Sequence, residues 1–196
     1  PHSETLLPLV RELLANVGLM VGDLDAIAFG VGPGAFTGLR VACGAAQGLA
    51  VAADLPVVPV VSLETLAAMA GGERVLALLD ARMGEIYSGR FVRRDGRYVL
   101  DGEIRVGAPA TVELPEAGWQ VCGNALKVYP ELAERCRAAG LVVATAEVPL
   151  AAAMLPLAVA AFERGEAIDP AQAAPLYVRD KVAKTVAERL QEGGKA

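Results

Sequence analysis

The first apolar positions of the chain recur with the period of an α-helix. Between residues 6 and 17 they are spaced by three or four, which places them on one helical face. The members of this stripe are Leu6, Leu7, Val10, Leu13, Leu14 and Val17. We expect the helix to begin near Thr5, because Pro8 is tolerated only in a first turn, and to stop at Gly18. Its apolar face is large enough to pack against another helix.

A second predicted helix, from Thr37 to Ala53, consists mostly of small residues. Gly38, Gly44 and Gly48 lie inside it, and each costs about 1 kcal/mol relative to alanine. Close packing of another backbone would offset that cost. With the first stripe, this helix predicts a helix–helix surface, within the chain or with a partner, and an ordinary core is the alternative. Its candidate interface residues are Leu39, Ala42, Cys43, Ala46, Leu49 and Ala50.

The remaining pattern alternates strands with helices. A strand at 57–61 precedes a short helix that Ser62 would cap. Strands at 75–80 and 85–92 predict a hairpin, and a second hairpin around Asp95-Gly96 would have residues 98–106 as its second arm. Strands at 119–122 and 141–144 then alternate with helices at 131–139 and 151–164. This order predicts an α/β fold with mixed sheets and a boundary near 65–75 or 109–116.

Composition narrows the possible classes of protein. The 196 residues are 54% hydrophobic, and the net charge of −5 has the wrong sign for binding a nucleic acid unaided. The three cysteines lack a CxxC spacing, which is typical of free thiols in the cytosol. The apolar stretch 39–61 predicts no membrane span, because charged residues and prolines interrupt it. The sequence starts at Pro1 without a methionine, so we expect it to be part of a longer protein.

Few residues are candidates for chemistry. The glycine-rich turn at 30–38 has neither a P-loop lysine nor the GxGxxG spacing, so a plain turn is favoured over phosphate binding. His2 is the only histidine, which argues against a metal centre and a Ser–His–Asp triad. Asp80, Arg82 and Glu85 could hold a polar ligand, although a salt-bridged hairpin is the favoured interpretation.

Four arginines lie on and beyond the first hairpin. Arg90, Arg93, Arg94 and Arg97 alternate with apolar residues. They could contact RNA phosphates, although charge that protects a strand edge is the commoner case.

Four motifs together resemble one protein family. Residues 32–41, Gly-Pro-Gly-Ala-Phe-Thr-Gly-Leu-Arg-Val, resemble the signature G-P-G-S-F-T-G-[LV]-R of the TsaB (YeaZ) family, with Ala35 in place of serine. His2–Pro8, Asp80–Tyr87 and Pro175–Arg179 resemble its H-S-E-x-L-L-P, D-A-R-M-G-E-[VI]-Y and P-x-Y-[LV]-R segments. The turn residues that match the signature are Gly32, Pro33, Gly34, Phe36, Thr37, Gly38 and Arg40.

The resemblance implies a two-lobed actin/Hsp70/sugar-kinase-like (ASKHA) fold with mixed sheets. The family opens with strands that do not precede Pro1, so the first sheet would be incomplete in this sequence. The lobes would comprise residues 1–70, completed by a C-terminal segment, and residues 71–175. Residues 176–196 would form a C-terminal tail or helix.

The resemblance also implies a function. The family supports TsaD, with TsaE as ATPase, in transferring threonylcarbamoyl from threonylcarbamoyl-AMP to adenosine 37 of tRNA. TsaD carries an N-H-[LM]-E-x-H metal motif, and Ser62 and Leu66 stand where its two histidines would be. The expectation is therefore a cytoplasmic, non-catalytic subunit with no metal or cofactor of its own. It would bind TsaD through its first two helices, form a homodimer when alone, meet tRNA only in the complex and have no membrane partner.

Two other functions stay open on the sequence alone. One is an autonomous ASKHA-type ATPase or phosphotransferase that would use the glycine turn and Asp80. The other is a module that binds tRNA directly, against which the acidic composition argues.

Overall fold

Two β-sheets organise the chain in the computed structural model, which describes residues 2–178. The first sheet pairs β1 (Ile27–Gly32) with β2 (Val57–Val61) in parallel. Helix α2 (Phe36–Ala53) makes the crossover between them, as a parallel pair requires. Both strands are short and mostly apolar, and four of the five residues of β2 are valine, in keeping with strands buried on both faces.

The second sheet has six strands in the order β5-β4-β3-β7-β8, with β6 also paired to β4. Their bounds are β3 (Arg74–Arg82), β4 (Glu85–Arg94), β5 (Arg97–Leu100), β6 (Arg105–Gly107), β7 (Gln120–Cys122) and β8 (Val142–Val143). Strand β4 runs antiparallel to β3, β5 and β6, whereas β7 runs parallel to β3 and β8. The predicted α/β fold with mixed sheets is confirmed.

Helices cover both faces of each sheet. Besides α2, the helices are α1 (His2–Asn16), which contacts α2, and α3 (Ser62–Ala70), α4 (Ala125–Val128), α5 (Pro130–Ala138) and α6 (Ala151–Glu163). Helix α2 packs on one face of the first sheet, where Phe29 and Val57 are buried, and α6 packs on the other, against Val58 and Val60. Helix α3 covers one face of the second sheet and α5 covers the other. Each sheet therefore has its own core, and α3 lies between the two sheets.

The C-terminal part of the described chain returns to the first sheet. Ile168 and Val57 exchange two backbone hydrogen bonds, at 2.8 and 2.9 Å. The side chain of Gln47, on α2, donates to the carbonyls of Pro170 and Ala173. Residues from both ends of the chain thus build this part of the fold.

Three local expectations were wrong. Helix α1 begins at His2, so Pro8 lies inside it; the carbonyl of Glu4 then lacks a helical N–H partner, and the exposed position of Glu4 gives it access to water. The second arm of the second hairpin is split into β5 and β6, which pair with successive parts of β4. Ser62 is the first residue of α3, whose N-cap is Val61.

Helix α2 has the length and apolar composition of a membrane-spanning helix, the only such helix in residues 2–178. It also carries Arg40 and Gln47, whose side chains hydrogen-bond to the C-terminal segment. A helix that packs against a sheet of a globular protein passes the same criterion.

Candidate functional site

Helix α1 ends as predicted and leaves much of its apolar stripe exposed. Gly18 adopts φ +71°, and the N–H groups of Gly18 and Leu19 donate to the carbonyls of Ala15 and Leu14. The side chains of Leu13 and Val17 are 67% and 68% exposed. Leu7 is also exposed, as is Leu9, which the stripe had not included, whereas Leu6, Val10 and Leu14 are half-buried.

Three of the six residues predicted for an interface on α2 lie in the core of the chain itself. Cys43, Ala46 and Ala50 are buried in the core of the first sheet, so they cannot also face a partner. Leu39, Ala42 and Leu49 are half-buried. Val51, which is not among the predicted residues, is exposed. The correction follows from the composition of α2: its small apolar residues occur on every side, so periodicity does not identify the inward face.

The glycines of α2 face open space. A Cβ atom built on Gly44 or Gly48 meets no heavy atom within 4 Å, apart from the backbone of the helix itself. The helix therefore bears the free-energy cost of two glycines with no compensating contact inside the described chain. We call this outward side of α2, together with the exposed residues Leu7, Leu13 and Val17 of the contacting helix α1, the two-helix face.

The glycine-rich turn is held by close packing. Gly32 adopts φ +110°, precedes Pro33 in a cis peptide bond, and would place a Cβ 2.9 Å from the side chain of Leu39. The carbonyl of Val31 accepts a hydrogen bond from the N–H of Leu176 at 2.8 Å. Glycine is thus favoured at position 32 by its backbone conformation, since the nearest atom belongs to the flexible end of the Leu39 side chain. Of the other signature residues, Pro33 is buried, Gly34 is half-buried, and Thr37 and Gly38 are exposed.

Two of the family-like motifs meet at this turn. The Arg40 guanidinium lies 3.9 Å from the centroid of the Phe36 ring, and its Nε donates to the hydroxyl of Tyr177 at 3.1 Å. The rings of Phe36 and Tyr177 are 5.8 Å apart. We had not predicted this cation–π cluster, because Tyr177 is 137 residues away from Arg40. The Pro175–Arg179 motif was its only sequence signal, and Arg179 lies outside the described residues.

Asp80, Arg82 and Glu85, which we call the polar corner, lie where β3 turns into β4 and are ordered by two residues that flank α4. The Asp80 side chain is 7% exposed; its Oδ1 accepts hydrogen bonds at 3.1 Å from the Arg82 N–H and from the Tyr129 hydroxyl. Asn124 accepts from the Asp80 N–H at 2.9 Å. The Arg82 side chain is 88% exposed, and its Nη1 lies 3.6 Å from Asp80 Oδ2. The Tyr129 hydroxyl also lies 3.4 Å from the carbonyl of Glu85.

This geometry favours a structural role for the corner. Burial raises the pKa of Tyr129, and the hydrogen bond to Asp80 raises that pKa further, so the phenol stays protonated and donates. Arg82 and Met83 have φ values of +63° and +55° before Gly84 at +74°, a turn that few non-glycine residues adopt. The Asp80 carboxylate holds this turn through the Arg82 N–H. Sequence reasoning missed Asn124 and Tyr129, which lie 44 and 49 residues from Asp80.

Ser62 and Leu66 are the two positions that the resemblance aligns with the histidines of a metal motif. Leu66 is fully buried in the core of the second sheet, and Ser62 is also buried. Among residues 2–178 no group of three or more His, Cys, Asp or Glu side chains could hold a metal ion.

Comparison with known proteins defines the class. The family described as "TsaD: tRNA N6-adenosine threonylcarbamoyltransferase" matches residues 1–186. A crystal structure described as an uncharacterized protein from Pseudomonas aeruginosa with similarity to peptidase YEAZ superposes with a TM-score of 0.80. It is 39% identical, and the alignment covers 91% of this chain and 85% of that one. The chain is thus an α/β protein related to the threonylcarbamoyltransferases.

Two curated relatives identify the family within that class. The TsaB protein of Escherichia coli K12 is 38% identical over 93% of this chain and 82% of its own length. The TsaB protein of Haemophilus influenzae is 34% identical over 92% and 81%. Both are tRNA threonylcarbamoyladenosine biosynthesis proteins. The chain belongs to the TsaB (YeaZ) family.

Proposed function

We propose that this chain is the non-catalytic subunit that binds TsaD and, through it, TsaE. In that assembly it supports transfer of threonylcarbamoyl from threonylcarbamoyl-AMP to adenosine 37 of tRNA. It acts in the cytoplasm without a cofactor of its own, forms a homodimer when TsaD is absent, and meets tRNA only in the complex.

The observation that best supports this proposal is the two-helix face. Leu13 and Val17 are about two-thirds exposed on α1, and nothing in the described chain packs over Gly44 and Gly48 on α2. Burying a leucine or valine side chain contributes roughly 1.5 to 3 kcal/mol. A partner helix seated here would gain that free energy at several positions and could approach the α2 backbone closely at the glycines.

The non-catalytic assignment is supported by the residues found at the positions that could have bound a metal or a substrate. Leu66 takes the place of a metal ligand, and the Asp80 carboxylate is committed to Arg82 and Tyr129. The Phe36, Arg40 and Tyr177 side chains bind one another at the glycine turn.

We further infer that the fold is the two-lobed ASKHA type. Residues 1–70 would form one lobe, completed by a C-terminal segment, and residues 71–175 would form the other. The return of Ile168 to β2 and of Leu176 to β1 supports the completion of the first lobe by a C-terminal segment, although that segment begins before residue 168 and therefore inside the range given to the second lobe. The predicted tail, 176–196, lies outside the described residues beyond Val178.

Substitution on the two-helix face tests the proposal. We expect Leu13→Glu and Val17→Glu to abolish co-purification with TsaD and to leave the circular dichroism spectrum unchanged, because both side chains are exposed. The matched control is Leu155→Glu, at a leucine that is 56% exposed on α6. Normal binding of TsaD by both α1 variants would overturn the proposal, as would loss of binding by the α6 variant alone. Ala46 is unsuited to this test, because a charge there would disrupt the core.

A further inference from the structure

A cleft lies between the part of the chain built on the first sheet and the part built on the second. Its volume is about 510 Å³, and α3, α6 and β5 border it. Apolar side chains such as Pro59, Leu100 and Leu157 form much of its wall. Four charged side chains also line it: Glu64, Arg97, Arg164 and Glu166. Apolar walls with a few polar groups are typical of sites that bind small molecules.

Two of the four charges neutralise each other, and the other two do not. Arg164 donates to Glu166 through two hydrogen bonds of 2.6 and 2.7 Å, a geometry that satisfies both groups. The side chains of Glu64 and Arg97 make no hydrogen bond or ion pair with any residue between 2 and 178. Arg97 acts on Glu64 only through its charge, at longer range. The cleft therefore holds one unpaired charge of each sign.

The Glu64 carboxylate lies at this cleft at a cost to the fold. Glu64 is half-buried in the first turn of α3. Loss of water raises the pKa of its carboxyl, and the charges of Arg164 and Arg97 lower that pKa less. A glutamate in the first turn interacts with the helix dipole equally well from solvent, so α3 does not require this burial. A cation bound in the cleft would give the carboxylate the partner that it lacks.

We propose that this cleft binds a small aliphatic zwitterion, an amino acid or a dipeptide, with its ammonium group on Glu64 and its carboxylate on Arg97. The planar guanidinium group binds a carboxylate through paired hydrogen bonds. The apolar walls take the aliphatic side chain out of water. A ligand with a single charge would leave the opposite charge in the cleft without a partner. The two-helix face lies on α1 and α2, away from the elements that border the cleft, so this binding does not depend on TsaD.

The test titrates the full chain with L-leucine and with the dipeptide Leu-Leu by isothermal titration calorimetry. Each is compared with its N-acetyl derivative, which lacks the ammonium group, and with its amide, which lacks the carboxylate. We expect a dissociation constant of about 1 mM or lower for one of the two zwitterions, and roughly tenfold weaker binding of each derivative, because each loses a charge-assisted contact. The zwitterion that binds more tightly shows which separation of the two charges fits the cleft.

Two variants assign the two contacts. Glu64→Gln should bind the zwitterion and its N-acetyl derivative with equal affinity, because the group that recognises the ammonium is gone. Arg97→Gln should bind the zwitterion and its amide with equal affinity. Arg97 is exposed, so its variant keeps the test valid even if the Glu64 variant does not fold, which circular dichroism checks.

Glu163→Gln and Arg94→Gln are the matched controls, because both residues are exposed and neither lines the cleft. They should leave the affinities for the zwitterion and its derivatives unchanged. The proposal would be overturned if neither zwitterion bound the wild type at concentrations up to about 20 mM. It would also be overturned if the derivatives bound as tightly as the zwitterions, or if the controls lost as much affinity as the cleft variants.

Discussion

At the scale of single residues, position 35 shows how one side chain limits the helix that follows it. Ala35 is the N-cap of α2, with extended backbone angles and no side-chain hydrogen bond to the first turn. The family signature has serine here, whose hydroxyl could accept from the N–H of Thr37 or Gly38. The first turn of α2 therefore lacks a cap that a single oxygen atom would provide.

We predict that Ala35→Ser stabilises the isolated chain by about 1 kcal/mol. The free energy of unfolding from urea denaturation measures the change. Ala35→Val is the control, because it adds a side chain of similar size with no acceptor and should give no gain. Equal effects of serine and valine would show that packing at the turn matters more than the missing cap.

At the scale of elements, replacing the glycines of α2 should change the stability of the isolated chain and its affinity for TsaD in opposite directions. Gly44→Ala/Gly48→Ala should raise the stability of the isolated chain by about 1 to 2 kcal/mol, since alanine is the better helix former and both sites have room for a methyl group. The same variant should bind TsaD less tightly, because the two methyl groups hold the partner away from the α2 backbone. Urea denaturation and a binding titration with TsaD measure the two effects.

Ala152→Gly calibrates this prediction on the exposed side of α6. It should cost less than about 1 kcal/mol of stability, because Ala152 lies in the first turn of α6, and leave the affinity for TsaD unchanged. If the double alanine variant bound TsaD normally, the glycines would not mark the point of close approach, although the two-helix face itself could still bind through α1.

The elements also show what a pattern of apolar residues can predict. The existence of α1, the first hairpin and the strand–turn–helix at residues 27–53 follow from period and turn chemistry, whereas the start of α1 and the split of the second hairpin's second arm into β5 and β6 do not. The inward face of α2 does not, because Cys43 and Gly44 are equally compatible with burial by size and polarity. The clusters around Arg40 and Asp80 depend on Tyr177, Asn124 and Tyr129, whose positions are decided by tertiary packing and leave no local signal.

At the scale of the whole molecule, charged residues line the cleft between the part of the chain built on the first sheet and the part built on the second. The cleft, of about 510 Å³, lies between α3, α6 and β5, with Pro59 and Leu157 among its apolar walls. Glu64 on α3 is partly buried in it, and desolvation raises the pKa of its carboxyl, while the positive charge of Arg164 lowers that pKa less. Arg164 binds Glu166 through two hydrogen bonds of 2.6 and 2.7 Å, and these bonds lower the pKa of Glu166. The pKa values of two carboxyl groups at one cleft are thus shifted in opposite directions.

Replacing each carboxylate by its neutral amide should therefore change stability with opposite sign. A raised pKa means that ionised Glu64 destabilises the fold near neutral pH, so Glu64→Gln should melt at a higher temperature than the wild type at pH 7. Glu166→Gln should melt at a lower temperature, because ionised Glu166 stabilises the fold. Both differences should shrink as the pH falls through the range where the carboxyls protonate, because the wild-type side chains then become neutral too. Thermal melts at pH 4, 5, 6 and 7 measure the effect. A destabilised Glu64→Gln at pH 7 would show that the attraction of Glu64 to Arg164 and Arg97 outweighs its desolvation. The charge of Glu64 would then link the end of α6 to strand β5.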